Sequence, residues 1–135
     1  MAETLTLDEQ LLTLLPSVGI IPPLSGFLYL ATAIRLELAA PVPSASSLQI
    51  SRNVAAACGV HPGAVTSGAR YALRAAFRKR NVCPEPDLAE ALGLRGSAPP
   101  GVRPFVQRAA AFLRAHQAVR VRDGSALCVC WMERK

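Results

Sequence analysis

Between Leu38 and Pro84 the chain carries no Asp or Glu. That excludes an ordinary solvated surface for this stretch, because exposed helix faces usually interleave both charges. Aromatic residues are scarce, at 5%, which argues against a sheet-rich fold. No window reaches the roughly 18 uninterrupted apolar residues of a membrane span, so no membrane association is expected. The start, Met1-Ala2-Glu3-Thr4, lacks the basic region that opens a signal peptide. The expected location is therefore cytoplasmic. No C-x-x-C pair occurs among Cys58, Cys83, Cys128 and Cys130, and His61 and His116 stand at no zinc-like spacing from them. The cysteines are expected to be reduced and structural, with no metal and no cofactor. Triad spacing, paired carboxylates and a Gly-rich phosphate loop are missing as well, which argues against an enzyme. Tyr29 and Tyr71 fall within apolar stripes and read as core.

What is present is concentrated. The acid-free segment holds six cations, Arg52, Arg70, Arg74, Arg78, Lys79 and Arg80. Elsewhere nine cations meet nine anions, so the whole net charge of +6 resides in this one segment. A local excess of that kind suits a polyanion, since each phosphate neutralised by Arg or Lys releases condensed counterions.

Apolar residues make up 51% of 135 positions, enough for one core, and Ala and Leu favour helices. Eleven Pro and nine Gly divide the chain into short helices. The first is expected over residues 5 to 15, with Thr6 or Asp8 as cap and Pro16 and Gly19 as stops. A second should run from near Leu24 to Ala40, with Phe27, Leu28, Leu30, Ala31, Ile34 and Leu38 as its stripe. The loop from Pro41 leads to a third helix, capped by Ser46 or Ser47 and ending near Cys58. A short helix is expected from Asp87 to Leu92, and a last one from Pro104 to His116. The tail alternates at Val119-Arg120-Val121-Arg122 and turns at Asp123-Gly124, which predicts a β-hairpin with Ala126 to Trp131. The fold class is thus all-α, a compact bundle of about six helices with a small C-terminal hairpin. Residues 1–117 form the helical domain and 118–135 the hairpin tail.

The fourth helix decides the functional reading. Gly59-Val60-His61-Pro62 is a turn, and Pro62 suits a first helical turn. Val65, Ala69, Ala72, Leu73, Ala76 and Phe77 share one face. Gly63, Thr66, Ser67, Arg70, Arg74 and Arg78 share the other. Small residues let a helix approach a groove closely, and the arginines then reach phosphates. Together the third and fourth helices read as helix-turn-helix. Arg78, Lys79 and Arg80 also complement the negative end of the helix dipole. His61 reads either as a phosphate contact or as a turn residue.

Two blocks carry a resemblance. Val18-Gly19-Ile20-Ile21-Pro22-Pro23-Leu24-Ser25-Gly26-Phe27-Leu28-Tyr29-Leu30 resembles the opening of the DNA-binding effector domain of the stage-zero sporulation response regulator family. Asn53-Val54-Ala55, Arg70-Tyr71-Ala72-Leu73 and Ala76-Phe77-Arg78-Lys79-Arg80-Asn81 resemble that family's helix-turn-helix, and Phe105 to Leu113 its last helix. The resemblance covers about residues 7 to 116. It implies an all-helical, duplex-binding transcriptional regulator acting at the onset of sporulation. In that family a phosphoacceptor receiver domain comes first. Here only six residues precede the first helix, so a stand-alone effector domain is expected. Where the family has an Arg-x-Glu-Arg run, this chain has Ala64-Val65-Thr66-Ser67. Arg is the usual bidentate reader of guanine, so weak or altered sequence preference is expected.

Two functions follow as expectations. One is a DNA-binding regulator, with Arg52, Arg70, Arg74, Arg78, Lys79 and Arg80 on phosphates, and Gly63, Thr66, Ser67 and Arg70 toward base edges. It would act as a homodimer where the site is two-fold. The other is an interaction module that pairs with RNA polymerase or a related regulator through Leu127, Val129 and Trp131 of the hairpin. For Trp131 the alternative is packing on the domain's own helices.

Overall fold

The computed structural model describes residues 2–83, 85–124 and 126–134. In chain order the elements are β1 (Ala2–Thr4), α1 (Leu7–Ser17), α2 (Ser25–Ala39), α3 (Ser47–Cys58), α4 (Pro62–Arg78), α5 (Pro86–Ala91), α6 (Val102–Ala115), β2 (His116–Asp123) and β3 (Ala126–Glu133). A single 3₁₀ turn, Arg80–Val82, lies between α4 and α5. The helices enclose one core in which Leu14, Leu15, Leu30, Ile34, Val54, Leu73, Phe105 and Val106 are all but inaccessible. Among the described residues no helix is long and apolar enough to cross a membrane.

Local chemistry explains most boundaries. Thr6 opens α1 with a capping box: its hydroxyl accepts from the Glu9 N–H at 3.2 Å, and Glu9 Oε1 accepts from the Thr6 N–H at 3.0 Å. Ser46 caps α3 by accepting from the Gln49 N–H at 3.1 Å. Gly59 ends α3 at φ +69°, a left-handed conformation suited to glycine. Pro16, expected as a stop, lies inside α1. Its fixed φ is helical and it forfeits only one backbone bond near the helix end. The helix ends one residue later, at Ser17, with Val18 as its C-cap and Gly19 beyond it at φ +98°.

Two stripe residues were misplaced by sequence. Leu28 is 55% exposed and Tyr71 is 58% exposed. The burial of Ala33, at 4% exposure, shows that α2 is rotated slightly from the expected face. The cause is the contact with α4. A Cβ on Gly26 would run into the Gly68 carbonyl oxygen and stand 2.6 Å from Ala72 Cβ. A Cβ on Gly68 would stand 2.9 Å from the Tyr29 ring. The two helices therefore meet backbone to backbone, which only glycine permits. This contact sets where α4 sits.

The C-terminal prediction needs correction. The sheet is three-stranded and antiparallel, in the order β1-β2-β3, rather than a lone hairpin. β1 pairs with β2 in the register Ala2 with Val121 and Thr4 with Val119. The Leu5 N–H extends the ladder by donating to the Ala118 carbonyl at 3.0 Å. A two-stranded hairpin is marginal in water, and a third strand relieves that. The last pair flanking the hairpin turn is Asp123 with Ala126, so Asp123 ends β2 rather than sitting in the turn. The expected boundary at 117/118 falls inside β2, which begins directly where α6 ends. Ala118 and Val119 are buried at 0% and 4% exposure. Trp131 is partly buried and packs edge-on against Phe112, with centroids 5.1 Å apart.

Candidate nucleic-acid interface

The α3–α4 pair places the predicted residues. Gly59, Val60 and His61 join the helices. His61 is the N-cap of α4: its Nδ1 accepts from the Gly63 N–H at 2.9 Å. An accepting Nδ1 fixes the tautomer and leaves Nε2–H to donate outward from an exposed ring. Both readings of His61 thus have a nitrogen each.

Thr66 is less free than expected. Its hydroxyl donates to the Pro62 carbonyl at 3.2 Å and lies 2.8 Å from Ser51 Oγ on α3. Ser51 is only 2% exposed, so this bond satisfies a buried hydroxyl and locks α3 to α4. Thr66 is therefore a brace between the helices. Gly63, Ala64 and Ser67 are exposed and small, and they form the outer surface at the start of α4.

Arg70, Arg74 and Arg78 follow on the same side, one helical turn apart and about 6 Å apart along the axis. All three are exposed, as are Arg52 and Lys79. None of these five makes an ion pair or side-chain hydrogen bond among the described residues. Arg80 differs. Its guanidinium donates to the Phe77 carbonyl at 2.8 Å and lies 3.8 Å over the Phe77 ring. It closes the end of α4, where a cation also meets the negative pole of the helix.

Sequence reasoning missed Tyr71. On a 100° wheel it falls about 20° from Arg78 and 40° from Ser67. The exposed ring therefore stands beside the arginine row, and its hydroxyl is a donor of the kind phosphates accept. The wheel held that signal; the residue's apolar ring obscured it.

The acid that precedes this segment in sequence is turned inward. Glu37, the last acid before the segment, is 4% exposed. Its carboxylate accepts from the Ser44 N–H at 3.2 and 3.3 Å and from the Ser44 hydroxyl at 3.0 Å, holding the loop that leads into α3. The ion pairs lie elsewhere: Arg35 with Asp8, and Arg120 with Glu3 at 3.4 Å and with Glu9 at 3.0 Å. The Glu9 carboxyl is held below the usual carboxylate range by the Thr6 N–H first and the Arg120 guanidinium second. A cavity of about 230 Å³ opens between Ser47, Leu48 and Ser51 of α3, Thr66 and Arg70 of α4, and the start of α6. Arg70 thus lies beside the α3 surface that bears Leu48 and, one turn on, Arg52. The outcome is a one-sign surface of two helices whose free cations meet no acidic partner among the described residues.

Comparison with protein-family models, with curated proteins and with solved structures finds no match to this chain. Function therefore rests on the site's own chemistry. No group of His, Cys, Asp and Glu among the described residues is arranged to hold a metal ion.

Proposed function

We propose that the chain is a DNA-binding transcriptional regulator, related to the effector domain of the sporulation-initiation response regulators. In this reading α3 and α4 form a helix-turn-helix, with α4 entering the major groove. Arg52, Arg70, Arg74, Arg78 and Lys79 hold phosphates, with the Tyr71 hydroxyl and the His61 ring beside them. The observation that carries the reading is the row Arg70, Arg74 and Arg78, exposed and without an acidic partner among the described residues. Unpaired guanidiniums at one-turn spacing on one helix are costly in mutual repulsion unless a polyanion answers them.

Phosphate contacts position a protein, whereas base contacts specify. Here the positioning set is rich. The reading set is thin, because Gly63 and Ala64 offer no polar side chain, Thr66 braces Ser51, and Ser67 and Arg70 remain. The proposed activity is duplex binding with weak or altered sequence preference. Competition between random duplex and the sporulation family's operator tests this. Less than about tenfold preference for the operator is expected, against the ~10³-fold or more of a specific reader. A preference of that larger size would overturn the altered-reading half of the proposal.

A second reading is an interaction module working through β3. Its support is the outer edge of the sheet, where Val129 and Met132 are 39% and 52% exposed. Trp131 lends it less, because that ring packs on Phe112. The Leu127 side chain, counted toward this surface by sequence, lies outside what is described. RNA polymerase or a related regulator would be the partner, and failure to bind any duplex would favour it.

A further inference from the structure

With no lining residue on α3 or α4, a cavity of about 560 Å³ opens between α5, α6, the start of β2 and β3. That size is typical of a small-molecule site. Its walls combine two chemistries. Phe112 stacks on His116 with centroids 4.3 Å apart and 15° between planes, and meets Trp131 edge-on at 5.1 Å, so the inner wall is a cluster of rings. Leu88 adds an aliphatic floor, and Glu85 and Asp87 stand on the α5 side. Both carboxylates are exposed, and neither is in an ion pair among the described residues. The two acids thus line the same cavity as the rings, in a protein whose net charge is +6.

We infer that this cavity binds an organic cation, an ammonium or guanidinium on an aliphatic stem. Ring faces attract a cation through their quadrupole, and the attraction grows where the cation is partly desolvated. The carboxylates add charge-assisted hydrogen bonds that a neutral ligand would leave unmade. An anion would be repelled by both acids. The stem would cover Leu88 and the ring edges, as Lys and Arg stems cover apolar surface elsewhere. The site is independent of the basic face of α4 and stands whether or not the chain binds DNA.

The same chemistry is offered by a free alkylguanidinium and by an arginine side chain in a polypeptide. Trp131 is the chain's only tryptophan, so its emission reports the cavity directly. The experiment titrates the protein with butylguanidinium and, separately, with acetyl-Ala-Arg-Ala-amide, following Trp131 fluorescence. The citrulline analogue of the peptide and ammonium chloride at equal ionic strength are the controls. A saturable change with either cation, absent with both controls, is the expected result. Response to the peptide alone assigns a polypeptide ligand; response to butylguanidinium assigns a free one. The pair Glu85→Gln and Asp87→Asn, both at exposed positions, should weaken binding about tenfold. Phe112→Leu should weaken it about fivefold. No saturable change, an equal response to citrulline, or indifference to the carboxylate substitutions would overturn the assignment.

Discussion

Arginine serves two different purposes at two places in this molecule. Around α6 and the sheet four guanidiniums are committed, although those of Arg108 and Arg122 are exposed and unbonded among the described residues. Arg103 donates to the Ser44 carbonyl at 2.9 Å, Arg114 to the Glu37 carbonyl at 2.9 Å and Arg134 to the Leu113 carbonyl at 3.0 Å, and Arg120 bridges Glu3 and Glu9. On α4 the guanidiniums of Arg70, Arg74 and Arg78 have no such partners among the described residues. The first group ties loops and strands to the helices. The second is held ready by a helix whose own position is fixed by glycine contacts and a hydroxyl brace. Residue type alone does not separate these uses. The local supply of acids and open carbonyls does, and it is what turns a count of charges into a candidate site.

The contrast can be broken from either side. Reversing three free charges, with Arg70→Glu, Arg74→Glu and Arg78→Glu together, should lower duplex affinity by at least about a thousandfold near 0.1 M salt, since each phosphate contact is worth roughly tenfold there. Circular dichroism should show the fold intact, because none of the three packs inside. Fluorescence anisotropy with a labelled duplex reads the loss.

Next in size is the contact that places α4. Gly26→Ala should destabilise the fold by about 3 kcal/mol in urea unfolding, because the new methyl meets the Gly68 carbonyl and Ala72. An alanine tolerated there without loss would mean that α2 and α4 are further apart than described.

The brace should cost less. Thr66→Val removes the hydroxyl that satisfies Ser51, and about 1 to 2 kcal/mol of stability should go with it. Duplex affinity should change far less than stability if Thr66 braces rather than reads. A large affinity loss with unchanged stability would return it to the base-facing set.

The committed end sharpens the comparison through pH. The Glu9 carboxyl is lowered from its ordinary 4.5 by the Thr6 N–H and by Arg120. Its contribution to stability is therefore complete above about 4.5 and is lost as pH falls through its lower folded value. The effect should be small, because the group is solvent-screened. Glu9→Gln should flatten that part of the stability profile, whereas Arg74→Ala should leave it unchanged.

The helices were legible because their signals are local. Thr6, Ser46, Pro62 and Gly59 act on their own turns, and each marked a boundary to within a residue or two. The α4 faces were legible from 3.6-residue periodicity alone, apart from Tyr71. What was not legible depends on partners distant in sequence. β1 is three residues long and pairs with residues near the other end of the chain, so nothing local in Ala2-Glu3-Thr4 announces it. Thr66 resembled a groove-facing hydroxyl until Ser51 was seen opposite it. Arg80 sat in a basic cluster by sequence, yet the Phe77 carbonyl and ring claim it. The cavity lined by α5, α6, β2 and β3 gathers side chains from four separate elements, and no single stretch of sequence contains it.

The most direct test of the central claim is wild-type binding to a random duplex across a range of salt. Five free cations predict a fall of log K with log salt of slope about −3 to −5. That result, with measurable affinity at low salt, is what a phosphate-anchored surface on α3 and α4 requires. A flat dependence, or no binding at low salt, would contradict it.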